Sequence, residues 1–399
     1  MLFHFGEYSL DIDRRELRRA GGLVAIEPQV FDLLVYLIRN RDRVVSKDDL
    51  LDGVWGGRIV SESTLTSRIN AARRAIGDSG AEQVLIKTFA RKGIRFVGII
   101  EDVNGPRPGV PAPLEARPTA DLRQEIHFCT ASDGVRIAYA TVGDGPPLVK
   151  AANWLNHLEY DWQSPVWSHL LKAIAAKHRL IRYDERGNGL SDWDVDEISL
   201  DAFIRDLETV VDANGLERFP LLGVSQGCAV SIAYAARHPE RVSHLVLYGG
   251  YARGRRKRGQ QAEIDQADAL LTLMRQGWGQ ENPAFRQIFT SLFIPDATAK
   301  QAQWFNDLQR VTTSPENAAR IRYALDNIDV SSLLTSIRVP TLVLHCRNDA
   351  VQPFEEGRRM AAGIAGSRFV ALESRNHLIL EHEAAWGRLL DEVTRFLAR

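Results

Sequence analysis

The order of apolar and polar positions changes character twice along the 399-residue chain. "LFHFGEYSLD", at the start, alternates with the two-residue period of short antiparallel strands that bury one face. "PQVFDLLVYLIRN" then shifts to a helical period. Val30, Phe31, Leu34, Leu37 and Ile38 share one face, and Pro28 suits the first turn, where its missing N–H would have no intrahelical partner anyway. "SKDDLLDGVW" predicts a second short helix, with Ser46 as N-cap and Asp49 three residues on. In "SESTLTSRINAARRAIGD", Leu65, Ile69, Ala72 and Ile76 form a single stripe and Gly77 stops the helix. "VLIKTFARKGIRFVGII" predicts a hairpin about Arg91-Lys92-Gly93.

Prolines 106, 108, 111, 113 and 118 interrupt this pattern, so residues 105–121 read as a semi-rigid, extended linker between a domain at 1–104 and another at 122–399. Beyond it the periodicity is that of buried parallel strands alternating with helices. "PLVKAA", "HRLIRYD", "FPLLGV", "RVSHLVLYGG", "PTLVLHC" and "SRFVAL" are the strands. Residues of about 251–335 are helical and strand-poor. The fold class is therefore α/β: a small α+β domain, then a doubly wound sheet with a helical cap over its carboxyl edge.

Charge adds one feature. The net charge is only -1, yet residues 53–100 carry eight Lys and Arg against three Asp and Glu, while residues 1–52 are slightly acidic. The positive charge is focused on the third helix and the hairpin, where it supplies affinity for a phosphate backbone. The face opposite the apolar stripe presents Ser63, Ser67, Asn70 and Arg74, flanked by Thr66, Arg68 and Arg73. Hydroxyls, an amide and guanidinium groups are the donors that read phosphates and base edges. Strands, three helices and a hairpin in this order resemble the winged-helix effector domain of OmpR-type transcription regulators. The resemblance implies that the third helix enters the major groove of double-stranded DNA through Thr64, Ser67, Arg68, Asn70, Arg73 and Arg74, with Arg91 and Lys92 on the wing. A winged helix without a preceding receiver domain is the expectation here, so the signal is expected to arrive through the second domain.

"PLLGVSQGCAV" places Ser225 between Gly223 and Gly227 where a strand turns into a helix, the position of an exposed nucleophile. Such a hydroxyl needs a base. Asp349 follows the strand "PTLVLHC" and His377 follows "SRFVAL", so the chain order is Ser225, Asp349, His377, each beyond the carboxyl end of a strand. With "RYDERGNGLSD", these residues resemble an α/β-hydrolase over about residues 125–399. The resemblance implies hydrolysis of an ester, lactone, thioester, amide or carbon–carbon bond. It also implies an oxyanion hole from the N–H groups of Gln226 and Trp154, although Asn153 stands where a glycine commonly precedes that donor. Asn153, Trp154 and His157 are expected to line a ligand pocket. "RGRRKRG", Arg253–Gly259, reads as a solvated segment of the cap.

The three scattered cysteines, the absence of a signal-like start and the absence of a long apolar run lead to the expectation of a reduced cytoplasmic protein without membrane, metal or cofactor. Paired half-sites would favour a homodimer, for which no interface is legible. Two functions compete. One is a one-component transcription regulator whose hydrolase-like domain senses a small molecule. The other is an active serine hydrolase carrying an accessory DNA-binding domain.

Overall fold

A computed structural model describes residues 2–12, 14–41, 44–55, 62–80, 82–89, 92–98, 100–102 and 122–398. The chain divides into two compact units, Met1–Ala116 and Arg117–Arg399. The proline-rich stretch 105–121 and Arg91 lie outside the described residues.

In the first unit, β1 (Leu2–Phe5), β2 (Tyr8–Asp11), β3 (Glu16–Arg19) and β4 (Gly22–Val24) form an antiparallel meander. Helices α1 (Pro28–Arg39), α2 (Lys47–Trp55) and α3 (Glu62–Ala75) follow, then the hairpin β5 (Ile86–Phe89) and β6 (Gly93–Phe96), and β7 (Glu101–Asp102) returns to pair with β1. Pro28 stands in the first turn of α1, and Ser46 and Asp49 exchange reciprocal hydrogen bonds before α2, at 3.1 and 2.9 Å. The core joins Phe3, Phe5 and Leu10 of the meander to Leu33, Leu34 and Leu37 of α1, Leu65 and Ala72 of α3, and Ile86, Ile94 and Phe96 of the hairpin. Gly93 is fixed by crowding: a Cβ there would lie 1.9 Å from the Val45 carbonyl oxygen, against which the hairpin is bridged.

The second unit is built on an eight-stranded sheet. Its strands are β8 (Glu125–Thr130), β9 (Arg136–Val142), β10 (Pro147–Lys150), β11 (Arg179–Tyr183), β12 (Phe219–Val224), β13 (Val242–Tyr248), β14 (Thr341–Cys346) and β15 (Arg368–Leu372), in the spatial order 15-14-13-12-10-11-9-8. All pairs are parallel except those made by β9. Helices α4 (Leu158–Trp162), α5 (Ser168–Ala175), α6 (Leu200–Ala213), α7 (Gly227–Arg237), α12 (Phe354–Gly363) and α13 (Ala384–Leu397) belong to this layer, while α8 (Gln261–Gly277), α9 (Ala284–Phe293), α10 (Ala299–Thr312) and α11 (Pro315–Asp326) form the cap. Strands β12, β13 and β14 are buried along nearly their whole length, so their sequences run apolar rather than alternating. No helix among the described residues is long and apolar enough to cross a membrane.

Candidate functional site

Strand β12 ends at Val224 and α7 begins at Gly227, which leaves Ser225 on a two-residue turn with φ of 54°. A non-glycine residue held in this left-handed region stores about 1–3 kcal/mol of strain, maintained here by the sheet and helix on either side. The Ser225 N–H donates to the Tyr248 carbonyl at 2.9 Å. A Cβ on Gly227 would meet the Ala152 carbonyl oxygen at 2.8 Å, so glycine lets the elbow approach the loop after β10.

Asp349 and His377 leave β14 and β15 in the same direction and meet: His377 Nδ1 lies 2.6 Å from Asp349 Oδ2. Asp349 Oδ1 accepts from the N–H groups of Val351 and Gln352, at 2.8 and 3.0 Å. Burial alone would raise this carboxyl, but the adjacent His377, His345 and the Gln352 N–H together hold it below the ordinary carboxylate range. The ring of His377 is boxed from the cap side by Phe293, whose ring stands edge-on at 5.2 Å, and the His377 N–H donates to the Phe293 carbonyl at 2.8 Å. His377 Nε2 is enclosed and has no hydrogen-bond partner among the described residues, so the bond to the Ser225 hydroxyl is not made. That bond commonly tightens only when substrate is bound.

The loop expected to supply the second oxyanion donor departs further from a working arrangement. The Trp154 N–H, expected to face the substrate, donates instead to the side-chain oxygen of Gln226 at 2.6 Å. Gln226 is held in place by donating in turn to Glu185 at 2.5 Å, and Asn188 donates to the other Glu185 oxygen at 2.8 Å. Burial pushes the Glu185 carboxyl up to about 8, against the opposing pull of the Gln226 bond. The Trp154 ring stacks on Trp278 at 5.5 Å and meets Phe289 and Phe293 from the cap. Of the three residues expected to line a pocket, only Trp154 meets the cap in this way. Asn153 accepts from the buried Lys150 ammonium. His157 accepts from the Tyr160 N–H at 3.4 Å and caps α4. Both side chains support the loop.

The turn after β11 explains how "RYDERGNGLSD" serves the site. Asp184 accepts from the N–H groups of Leu158 and Leu190 and from the Asn156 side chain, at 3.1, 2.8 and 2.7 Å, tying the oxyanion loop to the turn. Arg186 forms a buried pair with Asp206 of α6 at 2.7 Å. Glu185 is thereby aimed at Gln226.

In the first unit, Thr66, Ser67, Asn70 and Arg74 are exposed on α3 and line a groove of about 820 Å³ with Ser79 and Gly80. Lys92 is exposed on the hairpin and borders a second recess that Asn70 and Thr66 share. Thr64 is half-buried. Arg68 is paired with Glu27 before α1. Arg73, expected on the outer face, turns inward: its guanidinium donates to the Ile86 carbonyl at 3.0 and 3.2 Å and to Thr88 at 2.8 Å. Its position one residue before the outer Arg74 brings it round to β5, where it pins the hairpin to the helix. Sequence reasoning missed Asp78, which accepts the N–H groups of Ser79, Val84, Leu85 and Ile86 at 2.8–2.9 Å and completes that joint. It also missed the side chain of Gln226. An amide beside a nucleophile is the available signal, but its direction depends on Glu185, which is 41 positions away.

Residues 157–384 match the α/β hydrolase fold family, and the chain belongs to it. Residues 21–96 match the family described as transcriptional regulatory protein, C terminal, so the chain joins an OmpR-type DNA-binding domain of transcription regulators to a hydrolase-fold domain. It is 29% identical over 265 residues to the AB hydrolase superfamily protein YisY of Bacillus subtilis, covering 63% of this chain and 92% of that protein. It is 26% identical over 291 residues to 2-hydroxy-6-oxononadienedioate/2-hydroxy-6-oxononatrienedioate hydrolase 2 of Pseudomonas putida, covering 68% and 91%. Among solved structures, the esterase EaEST from Exiguobacterium antarcticum superposes with a TM-score of 0.58 at 26% identity, over 68% of this chain and 99% of that one.

Proposed function

We propose that this protein is a one-component transcription regulator. The winged helix binds double-stranded DNA through Thr66, Ser67, Asn70, Arg74 and Lys92, and the hydrolase-fold domain senses a small molecule beside Ser225. The observation that carries the sensing role is the Trp154–Gln226–Glu185 chain. A donor that would stabilise an oxyanion already has an internal acceptor, so the site retains a ligand better than it turns one over. Ser225 is the nucleophile of a slow reaction, His377 its general base and Asp349 the group that fixes the His377 tautomer. A ligand switches such a protein only by binding one state more tightly than the other.

The second reading, an active serine hydrolase with an accessory DNA-binding domain, draws on the 2.6 Å Asp349–His377 couple and on the hydrolases among the relatives. The test begins with selection of DNA fragments retained by the full chain. Extracts of small molecules are then added, and DNA retention and ester hydrolysis are followed together. The regulator reading predicts that a fraction with no detectable turnover shifts DNA retention. Rapid hydrolysis by a protein whose DNA retention no fraction alters supports the second reading.

A further inference from the structure

The segment Arg253–Gly259, expected to be a solvated part of the cap, is instead largely packed inward. All but one of its arginines meet a carboxylate, and Glu356 also serves Arg359. Arg253 pairs with Glu356 at 2.8 Å, Arg258 with Glu263 at 3.4 Å, and Arg256 with Asp268. Neighbouring Arg322 of α11 holds both oxygens of Asp326, at 3.0 and 2.7 Å. Arg255 is the exception: it is 4% exposed and has no carboxylate partner among the described residues. Its Nη2 donates to the Val351 carbonyl at 3.2 Å, and its Nη1 is enclosed without any partner.

Its position relates it to the site. Val351 stands two residues beyond Asp349 and donates its N–H to that carboxylate. Arg322, whose charge together with those of Asp326, Arg258 and Glu263 acts on Arg255, lies 5.8 Å from the ring of Trp154. Arg255 therefore sits between the loop that carries the triad acid and the helix that covers the oxyanion loop. Burial, chiefly, lowers its guanidinium to about 9, as expected of a cation enclosed without a counter-ion.

Resting on the reading of this unit as a small-molecule site, we propose that Arg255 is its anion-binding residue and that the ligand is an organic monocarboxylate. The ligand's carboxylate lies on the Nη1 edge of Arg255 and its apolar body runs along Trp154 towards Ser225. The planar fork of a guanidinium suits a carboxylate. Each other arginine of the segment already meets a carboxylate, so the place left open is for a single anionic group at Arg255. Trp278, Phe289 and Phe293 around Trp154 match an apolar or aromatic body.

The test uses the full chain and its tryptophan fluorescence, titrated with phenylacetate, 4-phenylbutyrate and hexanoate, with the corresponding primary amides and with phenyl phosphate. At least one acid is expected to bind tenfold or more tighter than its amide. Arg255→Met is expected to weaken that acid by about 10- to 150-fold, the worth of a hydrogen bond to a charged group, and to leave the amide unchanged. Arg255→Lys, which keeps the charge but not the fork, should fall between them, and circular dichroism of both variants should match the parent. The proposal is overturned if no acid outbinds its amide, if the preference survives in Arg255→Met or is undiminished in Arg255→Lys, or if phenyl phosphate outbinds every carboxylate. DNA retention measured in the same samples separates this from the reading on which it rests. Acid selectivity without any change in DNA retention keeps the subsite and sinks the regulator. Equal effects of acids and amides on retention do the reverse.

Discussion

Replacing Gln226 by leucine should raise the rate of ester hydrolysis. In the native arrangement the Trp154 N–H is bonded at 2.6 Å to the Gln226 carboxamide, and Glu185 holds that carboxamide at 2.5 Å. An oxyanion forming on a substrate must displace this acceptor before it gains the donor. One oxyanion donor is worth about 10²–10³ in turnover. Leucine has nearly the same size and no acceptor, so the Trp154 N–H becomes free while the backbone N–H of residue 226 is retained. The expected gain in kcat is about 10²-fold, with about 10³-fold as the ceiling. The substitution also strips one donor from Glu185. That group is pushed up to about 8 and so is largely protonated at neutral pH, and it keeps the Asn188 bond at 2.8 Å. The loss should cost about 1–3 kcal/mol of stability, against about 5–15 kcal/mol for a typical domain. The assay is hydrolysis of 4-nitrophenyl butyrate by the full chain, with Gln226→Leu/Ser225→Ala as the background control. A cooperatively folded Gln226→Leu protein whose kcat is equal to or below that of the parent would refute the reasoning.

Three further outcomes follow from the same geometry. Glu185 has a folded-state pKa raised from 4.5 to about 8, so the folded protein binds more protons than the unfolded chain in that window and this residue's contribution to stability falls as pH rises through it. Glu185→Gln should flatten that fall in denaturant titrations across the window, and an unchanged slope would contradict the buried protonated carboxyl. Arg74→Ala should weaken DNA binding uniformly across sequences and reduce the salt dependence by about one phosphate contact, whereas an unaltered slope removes Arg74 from the interface. Arg73→Ala should instead lower the melting temperature, because the Ile86 carbonyl loses its donor at a cost of about 1–3 kcal/mol; a stable variant with weakened DNA binding would return Arg73 to the groove-facing set.

The helices and the buried strands were legible because their periodicities are strong. The stripe Leu65, Ala72 and Ile76 is buried as its spacing required, and β12 to β14 run apolar because both faces are covered. Strands β8 and β9 passed unrecognised. Strand β8 is an edge strand with Phe128 60% exposed, so "EIHFCT" carries no clean alternation. The meeting of Asp349 and His377 could be anticipated because a parallel sheet delivers strand ends to one edge. The direction of a single polar side chain could not. Arg73 and Arg74 are adjacent and chemically identical, yet one is held by Ile86 and Thr88 and the other is exposed. Arg255 looked like one more member of a solvated basic run, because its burial depends on α11 and the Asp349 loop, both distant in sequence.

The most direct measurement is DNA affinity of the Ser225→Ala protein as a function of ligand concentration, beside the parent under the same conditions. With sensing independent of chemistry, both proteins show the same ligand-dependent change in DNA affinity while ester turnover disappears from the variant. A Ser225→Ala protein that still binds ligand and DNA but no longer couples them would contradict the account and make the covalent step itself the signal.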